Sequence, residues 1–236
     1  MNILALESAA AVGSAALLRD GRRIAELTLE TGNTHSETLL PSVDMLLKLT
    51  GLSLKDVDLF AASVGPGSFT GIRIGAATVK GLAFGTDKPC IGVSSVEALA
   101  YGLLGTEGLV CPVLNARRRQ VYTAIFRASH GKLERLTADT LLTVDELDGL
   151  LAAYPEAVSF VGDAWQLAEA TVTHAYRPVA AALRGASAVS VALAALAAYE
   201  NGARGSDATL TPIYLRPCQA ERERLEKLNA KENGST

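Results

Sequence analysis

One run of elements occurs twice in this chain, and that repetition limits the fold more than any single stretch does. The first copy opens with apolar runs at residues 3–6 and 12–18. The hairpin dipeptide Asp20-Gly21 follows, and then a less regular run holding Ile24, Leu27 and Leu29. Thr34 and Glu37 are spaced as a capping box, in which hydroxyl and carboxylate satisfy free backbone donors at a helix start. Leu39, Leu40, Val43, Leu46 and Leu47 then recur at helical spacing, with Gly51 as the stop. Pro41 lies inside this helix and predicts a kink. Residues 57–64 are nearly all apolar, as in a strand buried on both faces. A glycine-rich turn leads into a second helix over 69–84, and a strand at 90–93 with a capped helix from Ser94 completes the unit.

The second copy keeps this order. A strand at 109–114 connects through Arg117-Arg118-Arg119 to another at 121–126, and His130-Gly131 turns the chain into a third at 133–136. Thr143 and Glu146 cap a helix reaching Ala153, and residues 158–161 form the next strand. An Ala/Leu helix over 187–199, an extended stretch at 212–215 and a charged helical tail over 219–228 close the chain. Two βββαβα units in one chain read as a duplicated α/β fold of the actin/Hsp70/sugar-kinase (ASKHA, RNase H-like) type, with two lobes facing across a cleft. The lobes are expected at residues 1–105 and 106–236, the boundary falling near 103–108 and the last helix returning to the first lobe.

The chemistry is constrained by what is missing. Net charge is −3, far from the basic balance of a domain that grips nucleic acid alone. No apolar run reaches the ~20 residues of a membrane-spanning helix, and residues 1–10 lack the pattern of a secretion signal. Cys90, Cys111 and Cys218 are odd in number, widely spaced and without C-x-x-C, as expected of reduced thiols in a cytoplasmic protein. His35, His130 and His174 are scattered and form no ligand pair, and His35 reads as a helix-start residue rather than a catalyst. A protease would need a nucleophile beside an activating base, and no such grouping is present.

The glycine-rich turn, Gly65-Pro66-Gly67-Ser68-Phe69-Thr70-Gly71-Ile72-Arg73-Ile74-Gly75, supports two readings. Backbone N–H groups at a helix N-terminus can hold an anion, which makes Gly65, Gly67, Ser68 and Thr70 candidates together with Glu7 and Ser8 on the first strand end. Equally, glycines at such a turn let a helix pack closely. The run is neither a Walker A loop nor G-x-G-x-x-G.

The run GPGSFTGIRIG also resembles the signature of the TsaB (YeaZ-type) family. Residues 35–41 (HSETLLP), Lys80-Gly81-Leu82-Ala83, Gly92-Val93-Ser94-Ser95, Ala116-Arg117-Arg118 with Val121-Tyr122, Tyr214-Leu215-Arg216 and Gln219-Ala220-Glu221-Arg222-Glu223 fit in the same order. The resemblance spans almost the whole chain. It implies a non-catalytic, activating subunit of the complex that transfers threonylcarbamoyl to the adenosine next to the anticodon (t6A) in tRNAs reading codons that begin with A. The implied partners are the TsaD catalytic subunit and the TsaE ATPase, with tRNA met indirectly through the complex and a homodimer formed when TsaD is absent.

The residues agree with a subunit that does no chemistry itself. TsaD-type paralogues carry His-x-x-x-His where this chain has Ser95 and Leu99, so no metal site is expected. Superfamily kinases and ATPases, the alternative reading, need an acidic residue flanked by hydroxyls at the first strand end. Here Glu7-Ser8-Ala9 stands where the TsaB family more often has Asp-Thr-Ser, and Asn115 where it has Asp. The chain is thus expected to carry no cofactor of its own, with ATP or ADP held at a subunit interface if anywhere. Leu39, Leu40, Val43, Leu46 and Leu47 on the first helix, with Ile72, Gly75, Ala76 and Val79 on the second, are the candidate partner interface. A charge at Leu46 or Val79 should then weaken association more than folding. Arg117, Arg118 and Arg119 form the one dense basic cluster, a candidate tRNA contact or a solvated turn.

Overall fold

The computed structural model describes residues 1–216, so Cys218 and the charged helix expected over 219–228 lie outside the described residues. The first sheet begins with the meander β1 (Asn2–Glu7), β2 (Gly13–Arg19) and β3 (Arg22–Leu29), in which β1 and β2 pair antiparallel as Ile3↔Leu18 and Ala5↔Ala16. The imperfect alternation in β3 has a local cause. The β2–β3 register slips between Leu17 and Leu18, which pair with Ala25 and Arg23, leaving Ile24 as the extra, exposed residue of a bulge. β4 (Leu59–Gly65) and β5 (Cys90–Ser94) add parallel strands, giving the order β3-β2-β1-β4-β5.

Helix α1 (His35–Thr50) starts where the capping box predicts: the Glu37 carboxylate accepts from the Thr34 backbone N–H at 2.9 Å. It runs unbroken through Pro41 and ends at Gly51 in the left-handed conformation, φ 67°. Helix α2 (Phe69–Ala83) is capped by the Ser68 hydroxyl accepting from the Gly71 N–H. Both lie on one face of the sheet, where Leu39, Val43, Leu46, Ala76 and Val79 join Leu4, Leu6, Leu17 and Phe60 in one core.

The other face is covered by α3 (Ser95–Tyr101) and by a helix from far along the chain, α6 (Ala188–Glu200). Val191, Ala192, Ala194 and Ala195 pack against Ile3, Ala5, Ala16, Leu18 and Leu59. Small side chains let α6 approach the sheet closely, and a helix apolar on all sides is suited to full burial. α6 thus packs on the first sheet, while the last helix expected to return there, over 219–228, lies outside the described residues.

The second sheet is built on β6 (Gly108–Asn115). The strand anticipated over 121–126 divides into β7 (Gln120–Thr123) and β8 (Phe126–Ser129). The pairs Leu114↔Tyr122 and Leu109↔Arg127 belong to one continuous antiparallel register on β6, so the two pieces are halves of one strand interrupted at Ala124 and Ile125. β9 (Lys132–Arg135) pairs with β8, the unanticipated β10 (Thr140–Thr143) pairs with β7, and β11 (Val158–Val161) joins β6 in parallel. Short helices α4 (Leu147–Leu151) and α5 (Trp165–Thr171), the latter also not anticipated, close the outer face over Cys111, Val113, Val158 and Phe160. Between α5 and α6, Arg184 is nearly buried. It pairs with Glu169 at 2.6 Å, stacks 3.7 Å over the Trp165 ring and accounts for the path of an otherwise irregular segment.

The inner face of the second sheet packs on α3: Val96, Leu99, Ala100 and Leu103 meet Val110, Leu114, Tyr122 and Phe126. The layers thus run α1/α2, first sheet, α3/α6, second sheet, α4/α5. This is the duplicated ASKHA arrangement that the element order predicts, with α3 shared between the lobes.

Candidate functional site

At the end of β1, Glu7 is 1 % exposed, and its carboxylate accepts from the Ala9 N–H at 2.6 Å. Burial pushes its pKa up to about 7, against the backbone N–H of Ala9, the Ser63 hydroxyl and the backbone N–H of Ser8, which pull it down. Ser8 is fully buried and donates its hydroxyl proton to the Gly71 carbonyl at 2.9 Å. A Cβ on Gly71 would collide with the Ser8 carbonyl oxygen, and one on Gly75 with the Ser8 hydroxyl. Gly67, at φ 156°, lies against the Ala9 carbonyl, to which the Ser68 N–H donates at 2.7 Å. Gly65 faces the Ile213 carbonyl, and the Ile213 N–H donates to Val64.

Of the two readings of the glycine-rich turn, close packing is therefore the one this geometry fits. Glu7, Ser8, Gly65 and Gly67 are corrected from candidate anion contacts to packing positions, because α2 lies directly on the Ser8–Ala9 backbone. Only Ser68 and Thr70 are exposed, and Ser68 is occupied as the cap of α2. His35 is likewise structural, its Nε2 2.8 Å from the Ala10 carbonyl.

The corresponding place in the second lobe looks different. Asn115 is exposed; its backbone N–H donates to Asp163 at 2.7 Å, and its side-chain oxygen accepts from the Arg117 N–H. Arg117, Arg118 and Arg119 follow at φ 64°, 54° and 56°, three successive left-handed residues that each cost about 1–2 kcal/mol relative to ordinary backbone. Arg119 pairs with Asp145 at 2.9 Å, whereas Arg117 and Arg118 are exposed with no carboxylate in ion-pair range among the described residues.

Between these two places Ala10 and Leu215 pack against the core cluster that holds Leu99, Ala116 and Tyr122. Ser95 and Leu99, at the places of the paralogues' paired histidines, are buried, and no cluster of metal-binding side chains gathers among the described residues. Ser95 accepts from the Gly65 N–H at 3.2 Å. The capping box expected at Ser94 is half formed: its hydroxyl accepts from the Glu97 N–H, but the Glu97 carboxylate turns outward to Arg135 at 2.8 Å. Arg135 also pairs with Asp139, which accepts from the Ser94 hydroxyl at 2.6 Å, so a four-residue network ties α3 to the second sheet. A depression of about 390 Å³ lies elsewhere, between the ends of α2 and α6, lined by Ala83, Asp87, Lys88, Tyr199, Arg204 and Asp207 among others.

The helical interface also needs correction. Leu39, Val43, Leu46, Ile72, Ala76 and Val79 are 0–3 % exposed and Gly75 is buried, all of them within the first lobe's own core. Leu47 packs partly against the same core. Of the candidate set only Leu40 faces outward, at 54 % exposure. The exposed residues of the two helices include Leu40, Met45 and Leu49 on α1, interspersed with Glu37, Asp44 and Lys48, and Thr70, Arg73, Ala77, Gly81 and Phe84 along α2. Sequence reasoning followed the strongest apolar stripe, which belongs to the core. The signal for the outer face was the weaker one, apolar residues on the side of the helix that should be polar.

A family model described as "TsaD: tRNA N6-adenosine threonylcarbamoyltransferase" matches residues 29–221. The TsaB protein of Bacillus subtilis is 35 % identical over 162 residues, covering 69 % of this chain and 71 % of that protein. This chain belongs to the TsaB (YeaZ-type) family. The structure of YeaZ from Pseudomonas aeruginosa superposes with a TM-score of 0.79 at 28 % identity, over 91 % of this chain and 99 % of that one. The matched segments span about half of the TsaB proteins of Escherichia coli and Haemophilus influenzae, 55 % and 52 %. The tRNA N6-adenosine threonylcarbamoyltransferase of Symbiobacterium thermophilum is 30 % identical over 155 residues but matched over 45 % of its length. The TsaB resemblance therefore covers more of its relative than the transferase resemblance does.

Proposed function

We propose that this chain is the non-catalytic, activating subunit of a complex that installs t6A in tRNA, working with a TsaD transferase subunit and a TsaE ATPase, and forming a homodimer when TsaD is absent. The observation that carries the proposal is the outer face of α1 and α2. Among the described residues, four of the nine large exposed hydrophobics, Leu40, Met45, Leu49 and Phe84, lie on or at the end of these two helices, with Phe84 78 % and Leu49 75 % exposed. An apolar face of this kind at the outermost layer of a protein is a surface for another protein. Gly81 adds to it. A side chain there would meet no other atom within 4 Å, so its lack of a Cβ serves no packing inside this chain and leaves room for a partner helix.

The packed loop at the end of β1, with Glu7 and Ser8 buried under α2, supports a subunit with no nucleotide chemistry of its own. Any ATP or ADP is held at a surface shared with a partner. The test is to mix the full chain with TsaD and follow complex size and tRNA modification together, alongside a Leu49→Asp/Phe84→Asp variant. The native chain should form a heterodimer that modifies tRNA once TsaE and the threonylcarbamoyl donor are added, and the variant should fold normally but fail to assemble. Modification that proceeds equally well without this chain would overturn the proposal.

A further inference from the structure

Arg117 and Arg118, two of the three candidate tRNA contacts, lie at one end of a longer strip suited to RNA. At the start of α2, Arg73 places its guanidinium 3.7 Å over the Phe69 ring and donates from Nε to the Tyr214 hydroxyl at 2.7 Å. Phe69 and Tyr214 stack with centroids 4.8 Å apart, and Tyr214 remains 40 % exposed. Two residues on, a span of about 7 Å in extended chain, Arg216 donates to the Ala116 carbonyl at 3.1 Å. Ala116 leads directly into the exposed, left-handed Arg117 and Arg118. A continuous line of planar and cationic groups therefore runs from α2 of the first lobe to the β6–β7 turn of the second. Arg119, Arg127, Arg135 and Arg184 each hold a carboxylate, whereas Arg73, Arg117, Arg118 and Arg216 have none within ion-pair distance among the described residues.

We propose that this strip contacts single-stranded RNA directly, bases stacking on the Phe69–Arg73–Tyr214 group while Arg216, Arg117 and Arg118 meet phosphates. Stacking on aromatic and guanidinium planes with cations along the backbone is how unpaired RNA is held without reading its sequence. A left-handed turn costs backbone strain, and holding two arginine side chains out into solvent is a use for it. Arg119 is left out of the strip because Asp145 already occupies it. An overall charge of −3 is no obstacle, since the strip is local and the rest of the RNA surface would come from the partner subunit. The inference deepens the proposed function and rests on it for the identity of the RNA.

The test uses the full chain in complex with TsaD and a tRNA anticodon-arm transcript, with binding followed over a range of salt concentrations. The variant is Arg117→Asn/Arg118→Asn, because asparagine tolerates the left-handed conformation and keeps the turn. Affinity should fall roughly tenfold at low salt, and the slope of log K against log salt should drop by about 1.4, as expected for two lost phosphate contacts on a single strand. Heterodimer formation should be unchanged, and ultraviolet crosslinking of the native complex should join RNA to Phe69 or Tyr214. An intact heterodimer with unchanged affinity and slope would overturn the inference, as would a variant whose loss lies in binding TsaD or TsaE. If no heterodimer forms at all, the proposed function fails. The same titration on the chain alone then decides the strip, which stands if salt-dependent RNA binding is lost in the variant and falls if it is not.

Discussion

The two lobes share an order of elements and treat the same place in it in opposite ways. At the end of β1 the chain is sealed: Glu7 and Ser8 are buried, and Gly67, Gly71 and Gly75 bring α2 onto the Ser8–Ala9 backbone. At the end of β6 the chain is open: Asn115 is exposed, three arginines hold a strained turn, and Gly162 alone makes a comparable close contact, against the Val113 carbonyl. The difference follows from what comes after the next strand. A 15-residue helix, α2, lies across the first loop, whereas the 7-residue α5 leaves the second uncovered. Both sheets keep a meander with one parallel strand beside its first strand, but β5 and β10 have no counterparts and the strand-end loops differ. One lobe seals its strand-end loop under α2, and the other keeps a solvent-facing turn.

The largest expected effect separates the inner and outer faces of the first lobe. Leu46→Asp buries an unpaired charge beside Leu39 and Val43 and should cost about 3–5 kcal/mol, enough to prevent folding, whereas Leu49→Asp, three residues on, should change stability by less than about 0.5 kcal/mol. Thermal unfolding of both variants checks this, and a folded Leu46→Asp protein would mean that α1 lies the other way round.

Next in size is the pH dependence of the sealed loop. A carboxyl whose folded pKa lies above its unfolded value binds its proton more tightly when folded. The stabilisation from Glu7 is therefore fully present below about pH 4.5 and is lost as pH rises through about 7. The native protein should lose on the order of 3 kcal/mol across that window relative to Glu7→Gln, by denaturant titration at each pH. Parallel stability curves for the two proteins would show that Glu7 is solvated and the loop open.

Gly71→Ala should cost about 1–3 kcal/mol, since its Cβ meets backbone rather than a flexible side chain. A neutral outcome would mean that α2 can lift off the Ser8 carbonyl and that the two loops are more alike than the packing indicates. The smallest effect belongs to the open turn. Arg118→Asn should leave stability unchanged or raise it by up to about 1 kcal/mol, because asparagine is less strained at φ 54°. A clear loss in the unfolding midpoint would give Arg118 a structural role inside the chain.

Much of this was legible in the sequence. The capping box at Thr34 and Glu37, the stop at Gly51 and the apolar run at 57–64 are local signals, and each became the expected element. Residues 140–143 and 165–171 escaped because short elements carry few residues in which a period can show. The candidate interface failed for another reason. Hydrophobic periodicity marks the face a helix buries, and for α1 and α2 that face belongs to the first sheet, so Leu39, Val43, Leu46, Ile72 and Val79 were the positions least able to meet a partner.

The sequence by itself determined the long helices and strands of the first lobe and the family, because these depend on near neighbours and residue type. Only the tertiary structure decided that the glycines of 65–75 serve packing, that α6 returns to cover the first sheet, and that Phe69, Arg73, Tyr214, Arg216 and the Arg117–Arg118 turn share one surface. Those outcomes depend on which distant backbones come into contact. Arg73 and Tyr214 are 141 residues apart along the chain, and nothing in the spacing of residues records that distance closing to 2.7 Å.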